Sequence, residues 1–373
     1  MKKEDVIGLI IFVIAFGAGL VVAFTVLTEF NVTFMSRFWF TMLTVILAFV
    51  LNAIGLEVSH VIGGIIGGYE IISINILGLE IEKIGGKKKF HYRDYNGLTG
   101  ETKLSPKKDK TNLKPFVWAP IVAYLVEVVV GAIIIMLVKE ENAVSETPEW
   151  LALGSVLFIT VSSMIALYNL IPLRLNSLND GYRLRLLSNP QSEEALNELF
   201  RVENELRNGK QVLNIKKFEN VNDFTATPNL FYLYNKLAKN ELDDALELIN
   251  VMLEKKETLG TDTLYRILGQ KMYVLILTNI EEAREFYDAE VKDNIRKFIA
   301  NDIFAESLRA YVLIAGLIDK SESEVMLVKK RFARVNEQSL LGRKADEQRL
   351  FDEAIEKIYK EHPEWDKKES IAA

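Results

Sequence analysis

Leu56-Glu57-Val58-Ser59-His60-Val61-Ile62-Gly63-Gly64 closes the second long apolar run of the chain, and Gly67-Gly68-Tyr69 follows it. On a helix, positions 56 and 60 share a face, and 57 lies beside them on the same side of the turn. A carboxylate and an imidazole therefore stand together at the end of a membrane-length segment. Just beyond, glycine pairs mark the change from apolar helix to strand-like sequence.

Working outward, three more apolar runs accompany this one. Residues 6–28 follow a charged leader, Met1 to Asp5, and approach the ~20 residues that cross a bilayer as a helix. A cleaved signal would have a shorter apolar core and a small-residue cleavage site, so an uncleaved helix is expected. The second run covers 38–56, with hydrophobic residues continuing to 66. The third covers 116–138 and the fourth 150–173, with a short, mostly acidic link at 139–149.

Basic residues lie on one side of these spans: Lys2 and Lys3, the lysine-rich loop 69–115, and Arg174, Arg183 and Arg185. The positive-inside rule puts that side in the cytoplasm, so four spans in the cell membrane with both termini inside satisfy every loop. Within 69–115, Glu70 to Ile76 alternates and is β-branched, and Glu80 to Ile84 resumes after Gly78. Gly85-Gly86 and Asn96-Gly97 are turn signals. A small cytoplasmic β-sheet is expected, and its strand edges cannot face lipid. Lys87, Lys88 and Lys89 read as a solvated patch facing lipid headgroups.

Composition closes off several chemistries. The 373-residue chain has no cysteine, which excludes disulfides, thiolate metal sites and cysteine nucleophiles. His60, His91 and His362 are its three histidines. The net charge of −6 points to no nucleic-acid partner.

After the fourth run comes Asn169-Leu170-Ile171-Pro172, then Asn179-Asp180-Gly181-Tyr182. Glutamate-x-x-histidine on a membrane helix, G-G-Y into a sheet, a middle span, then N-L-I-P and D-G together resemble the site-2 protease family. These are intramembrane zinc proteases. The similarity covers residues 38–190 and is nearest to the cytosol-facing Gram-positive branch. The resemblance implies that Glu57 is the general base, that His60 is the second zinc histidine and that Asp180 is the carboxylate ligand. Leu56 stands where the family has its first zinc histidine, as in a degenerate member. In the third span Ala119-Pro120 is followed by Tyr124, where the family often has asparagine.

A catalytic zinc uses three protein ligands and a water whose pKa falls to about 7, and the glutamate takes that water's proton. With leucine at 56, the resemblance implies zinc held weakly or not at all. His91 is the remaining imidazole near that face, although a lone loop histidine is more often polar surface. Taken alone, a single E-x-x-H is a weak signal, and Glu57 reads more readily as the polar end of a membrane helix and His60 as an interfacial histidine. Glu127 lies in mid-span, where an ionisable group is by default a functional candidate. Asn169 is a further candidate, in the N-L-I-P element.

From 191 to 373 the chain turns charged and mixed. Helix-spaced apolar residues occupy 193–208, 228–239, 242–256, 263–277, 280–302, 305–318 and 323–359. Ala245 and Ala283 sit in similar segments about 38 residues apart, near the tetratricopeptide period of 34. The sequence thus predicts a mainly α membrane protein in three parts. Residues 1–37 are an N-terminal membrane helix and outer loop, and 38–190 a membrane core with its sheet at about 69–115. Residues 191–373 form a cytoplasmic all-α helical-hairpin, tetratricopeptide-like domain, with a plain irregular helical bundle as the equal alternative.

Three functions fit this sequence. The first is a non-catalytic site-2-protease-like protein that holds a single-span membrane client and docks a cytosolic protein on its helical domain. The second is an active intramembrane zinc metalloprotease cutting a single-span protein. The third is a membrane subunit of a bacterial export or immunity system in which Glu127 matters. Leu56 favours the first.

Overall fold

The computed structural model describes Ile10, Val13, Ile14, Gly17 and Val21, and residues 34–84, 87–92, 99–107, 111–140, 146–171, 179–291 and 293–365. The chain divides into two compact units, 1–193 and 194–373. Most of the first apolar run lies outside the described residues, and its five described positions are helical. Pro172, Arg174, Gly85-Gly86 and Asn96-Gly97 also lie outside them.

Among the described residues, the first unit has three long helices: α1 (Phe34–Ile66), α2 (Lys114–Glu140) and α3 (Glu146–Leu170). Each contains a stretch long and apolar enough to cross a membrane: Phe38–Ile66, Lys114–Leu137 and Trp150–Leu170. Their outer faces are apolar, with Trp39, Leu43, Leu47 and Leu51 of α1 and Leu125, Val129 and Ile133 of α2 exposed. A water-soluble bundle would bury such residues, whereas helices in lipid need not.

Small residues let these helices approach. A Cβ on Gly63 would lie 2.4 Å from the Pro115 carbonyl oxygen and 2.8 Å from Phe116 Cα. The start of α2 thus rests directly on the α1 backbone, as small residues permit between membrane helices.

Between α1 and α2 lies an antiparallel sheet of β1 (Tyr69–Ile76), β2 (Leu79–Ile84), β3 (Lys87–Tyr92) and β4 (Gly100–Pro106), in the order β3-β2-β1-β4. The β1–β2 hairpin turns on Leu77 and Gly78, both with positive φ (51° and 92°), as the tight primed turns of hairpins require. Lys87, Lys88 and Lys89 belong to the edge strand β3 and are exposed. A short helix, α4 (Asp180–Leu186), then precedes α5 (Pro190–Arg207).

The second unit is helical: α6 (Asp223–Ala238), α7 (Leu242–Glu254), α8 (Thr261–Thr278), α9 (Ile280–Glu290), α10 (Asp293–Asn301), α11 (Ala305–Leu313), α12 (Glu322–Glu337) and α13 (Lys344–Glu361). Two predicted segments are each divided. The 280–302 run breaks at Val291, and the 323–359 run breaks between Gln338 and Arg343, where Gly342 packs on the Lys210 carbonyl. Apolar spacing carries across both breaks, because both halves bury one face in the same core.

Every residue of α11 is buried, against α8, α12 and α13. Arg309 on it is fully enclosed, with its Nε 3.0 Å from Glu347 and its guanidinium 4.1 Å above the Tyr273 ring. Glu347 also takes Arg343 as a partner, so the buried charges are paired and not isolated.

Gly63→Ala tests the helix contact with opposed signs. Helix propensity alone would stabilise by up to ~1 kcal/mol, while overpacking costs about 1–3 kcal/mol. Thermal unfolding in detergent is expected to show a lower midpoint for the variant, and a raised midpoint would refute the close contact.

Candidate functional site

Leu56, Glu57 and His60 are all buried on one turn of α1. The His60 ring is fixed from two sides. Its Nδ1 lies 3.1 Å from the Phe116 carbonyl, which α2 presents because Gly63 admits it so closely. Its Nε2 lies 3.4 Å from Asp180 Oδ2, and the ring packs against the Phe116 ring at 4.5 Å. Donation from Nδ1 to a carbonyl leaves Nε2 facing a carboxylate, an arrangement that is favourable when a proton lies between them.

Asp180 reaches this position through local chemistry that the sequence carries. Asn179 caps α4, accepting from the Tyr182 amide at 3.0 Å, and its Nδ2 donates to the carbonyls of Tyr168 (2.7 Å) and Ile171 (2.6 Å). A Cβ at Gly181 would lie 1.9 Å from the Leu170 carbonyl oxygen, so the residue after the aspartate has no room for a side chain. The D-G pair thus ties the start of α4 to the end of α3. Arg183, one turn on, places Nη1 3.3 Å from Asp180 Oδ1. Burial works against the Asp180 carboxylate, but His60 and Arg183 outweigh it and hold its pKa below the ordinary value.

Glu57 is covered by β4. Thr102 Oγ1 donates to its Oε2 at 2.6 Å, and Gly100 approaches its Cγ. A narrow cleft with a volume of about 20 Å³ opens beside this turn. Leu56, Asn52, Tyr124, Glu127, Asn169 and Asp180 are among the residues lining it. Glu127 reaches across to α1, where a Cβ on Gly55 would meet its Oε1 at 3.2 Å.

The sequence candidates Glu57, His60, Asp180, Glu127 and Asn169 thus gather around one turn and one cleft. His91 does not join them. Cross-strand partners share a face, and Thr102, Ile74, Ile81 and Phe90 are successive partners across the sheet. His91 therefore faces away from the Thr102 side and contacts Glu80 at 3.1 Å.

Among the described residues, no His, Cys, Asp or Glu forms with His60 and Asp180 a trio of ligand atoms within 4.8 Å of one another. Thr102, Arg183, Asn179 and the Phe116 carbonyl were not singled out from sequence as partners of these groups. Asn179 and Arg183 carry local signals, a cap position and an i+3 charge, but Thr102 depends on a strand register that no local pattern encodes. Comparison of the chain with protein-family models, curated proteins and solved structures yields no match.

The lowered pKa gives a signed prediction. A carboxyl whose folded pKa is depressed adds stability that is fully present above about pH 4, its unfolded value, and lost as pH falls through the folded value. Asp180→Asn is expected to melt below the wild type at neutral pH, with the gap narrowing in acid. A gap constant from pH 7 to 3 would exclude the assigned pairing.

Proposed function

We propose that this chain is a degenerate, non-catalytic member of the site-2 protease family. On this reading it spans the cell membrane four times with both termini in the cytoplasm. It retains a membrane client at the cleft and docks a cytosolic protein on a tetratricopeptide-like helical unit. The observation that carries the reading is the meeting of His60 with Asp180 on the turn that bears Glu57, with Leu56 in place of a third ligand.

The chemistry follows from these residues. Without a metal, no water near Glu57 is made acidic enough to give up its proton at neutral pH. Glu57 instead accepts from Thr102, and His60 and Asp180 satisfy one another. The cleft keeps polar side chains between apolar helices: Asn52, Tyr124 and Asn169. Such groups offer hydrogen bonds to the backbone of a client helix that loosens within the membrane, where an unpaired amide is costly. Holding a locally unwound segment requires those groups and no bond cleavage.

Restoring the missing imidazole tests this directly. In tag-free protein equilibrated with zinc, Leu56→His is expected to bind about one more zinc per chain than the wild type, as three ligands and water complete a site. Adding His60→Ala or Asp180→Asn should abolish the gain. Wild-type zinc that His60→Ala releases would overturn the reading and favour the active metalloprotease.

A further inference from the structure

The face of the sheet turned away from Thr102 has an unusual pattern. On β2 the apolar residues are outside and the acids inside: Leu79 is 54% and Ile81 43% exposed, whereas Glu80 is 1% and Glu82 5% exposed. Sheet register gathers other polar groups on the acid face. Asn75 and His91 flank Glu80, and Ser73 and Lys89 flank Glu82. His91 Nε2 lies 3.1 Å from Glu80 Oε2 and 3.9 Å from Glu82 Oε2, and the three ligand atoms all lie within 4.8 Å of one another.

Two carboxylates withdrawn from water and an imidazole this close together make a donor set of the kind that holds a cation. A second, independent feature lies beside them. Ser73, directly across from Glu82 on the same face, is 1% exposed, and its hydroxyl has no hydrogen-bond partner among the described residues. Buried hydroxyls are almost always bonded, so this one calls for a further polar group at the site, an ion or a water bound to it.

We infer that Glu80, Glu82 and His91 form a binding site for a divalent transition-metal ion, with zinc the best fit and the Ser73 hydroxyl beside the fourth position. The ligand set selects the class of ion. Imidazole disfavours magnesium and calcium, the absence of thiolate disfavours copper(I), and mixed nitrogen and carboxylate donors suit zinc or manganese. Bond lengths of about 2.1 Å in a tetrahedral site set donors roughly 3.4 Å apart, and the two histidine–carboxylate separations of 3.1 and 3.9 Å bracket that spacing. All three ligands stand on two hydrogen-bonded strands, so the ion would clamp the edge strand β3 to β2.

This site is independent of the reading given to the His60 turn, and the two are tested by different variants. Full-length, tag-free protein in detergent is stripped with a chelator and titrated with zinc chloride alone, bound metal being measured by equilibrium dialysis. One saturable equivalent per chain is expected, together with a zinc-dependent rise in melting temperature. His91→Gln, at a part-exposed edge position, should weaken binding at least tenfold and remove the rise. Glu82→Gln should do the same, and His60→Ala should leave both unchanged. Failure to bind zinc saturably, or binding indifferent to both His91→Gln and Glu82→Gln in protein that elutes as the folded wild type, would overturn the assignment.

Discussion

The contact between His60 and Asp180 closes the membrane unit. It joins α1 to the short helix α4 far along the chain, and three other features serve it. Gly63 lets α2 lie against α1 so that the Phe116 carbonyl meets the imidazole. Gly181 lets α4 meet the end of α3, and Asn179 fastens that junction with two side-chain bonds to carbonyls. Each glycine is required by a backbone approach, not by turn geometry. The close packing is therefore written in small residues, while the polar contact is written in a histidine and an aspartate.

Burial makes that contact consequential. A buried carboxylate or imidazole is costly unless paired. Here the aspartate has an imidazole on one oxygen and a guanidinium on the other, while Glu57 has the Thr102 hydroxyl. The polar groups of the turn are thus satisfied within the protein. A leucine at position 56 adds apolar contact to the cleft and no demand for a charge. The same logic governs the helical unit, where Arg309 is tolerated because Glu347, Gln270 and Tyr273 enclose it.

Much of this was legible in sequence. The apolar runs from 38, 116 and 150 mark the three helices that, among the described residues, are long enough for a membrane, and β-branched alternation marks β1 and β2. Glu57 and His60 sit one turn apart by helical spacing alone. What could not be read is long-range register. Nothing near Thr102 says that its strand will lie over Glu57. Nothing in Glu80-Ile81-Glu82 says that the acids will turn inward, since the usual rule buries the isoleucine. The helix breaks at Val291 and after Gln338 escaped because apolar periodicity persists when consecutive helices share a core.

The most direct measurement of the central claim is proximity between positions 60 and 180 in native membranes. The chain contains no cysteine, so His60→Cys with Asp180→Cys places two thiols in an otherwise thiol-free background. Efficient intramolecular cross-linking by a short bis-thiosulfonate is the expected result, with little when His91→Cys replaces His60→Cys. If positions 60 and 180 fail to cross-link while 91 and 180 do, the two side chains do not meet, and the site described around them does not exist.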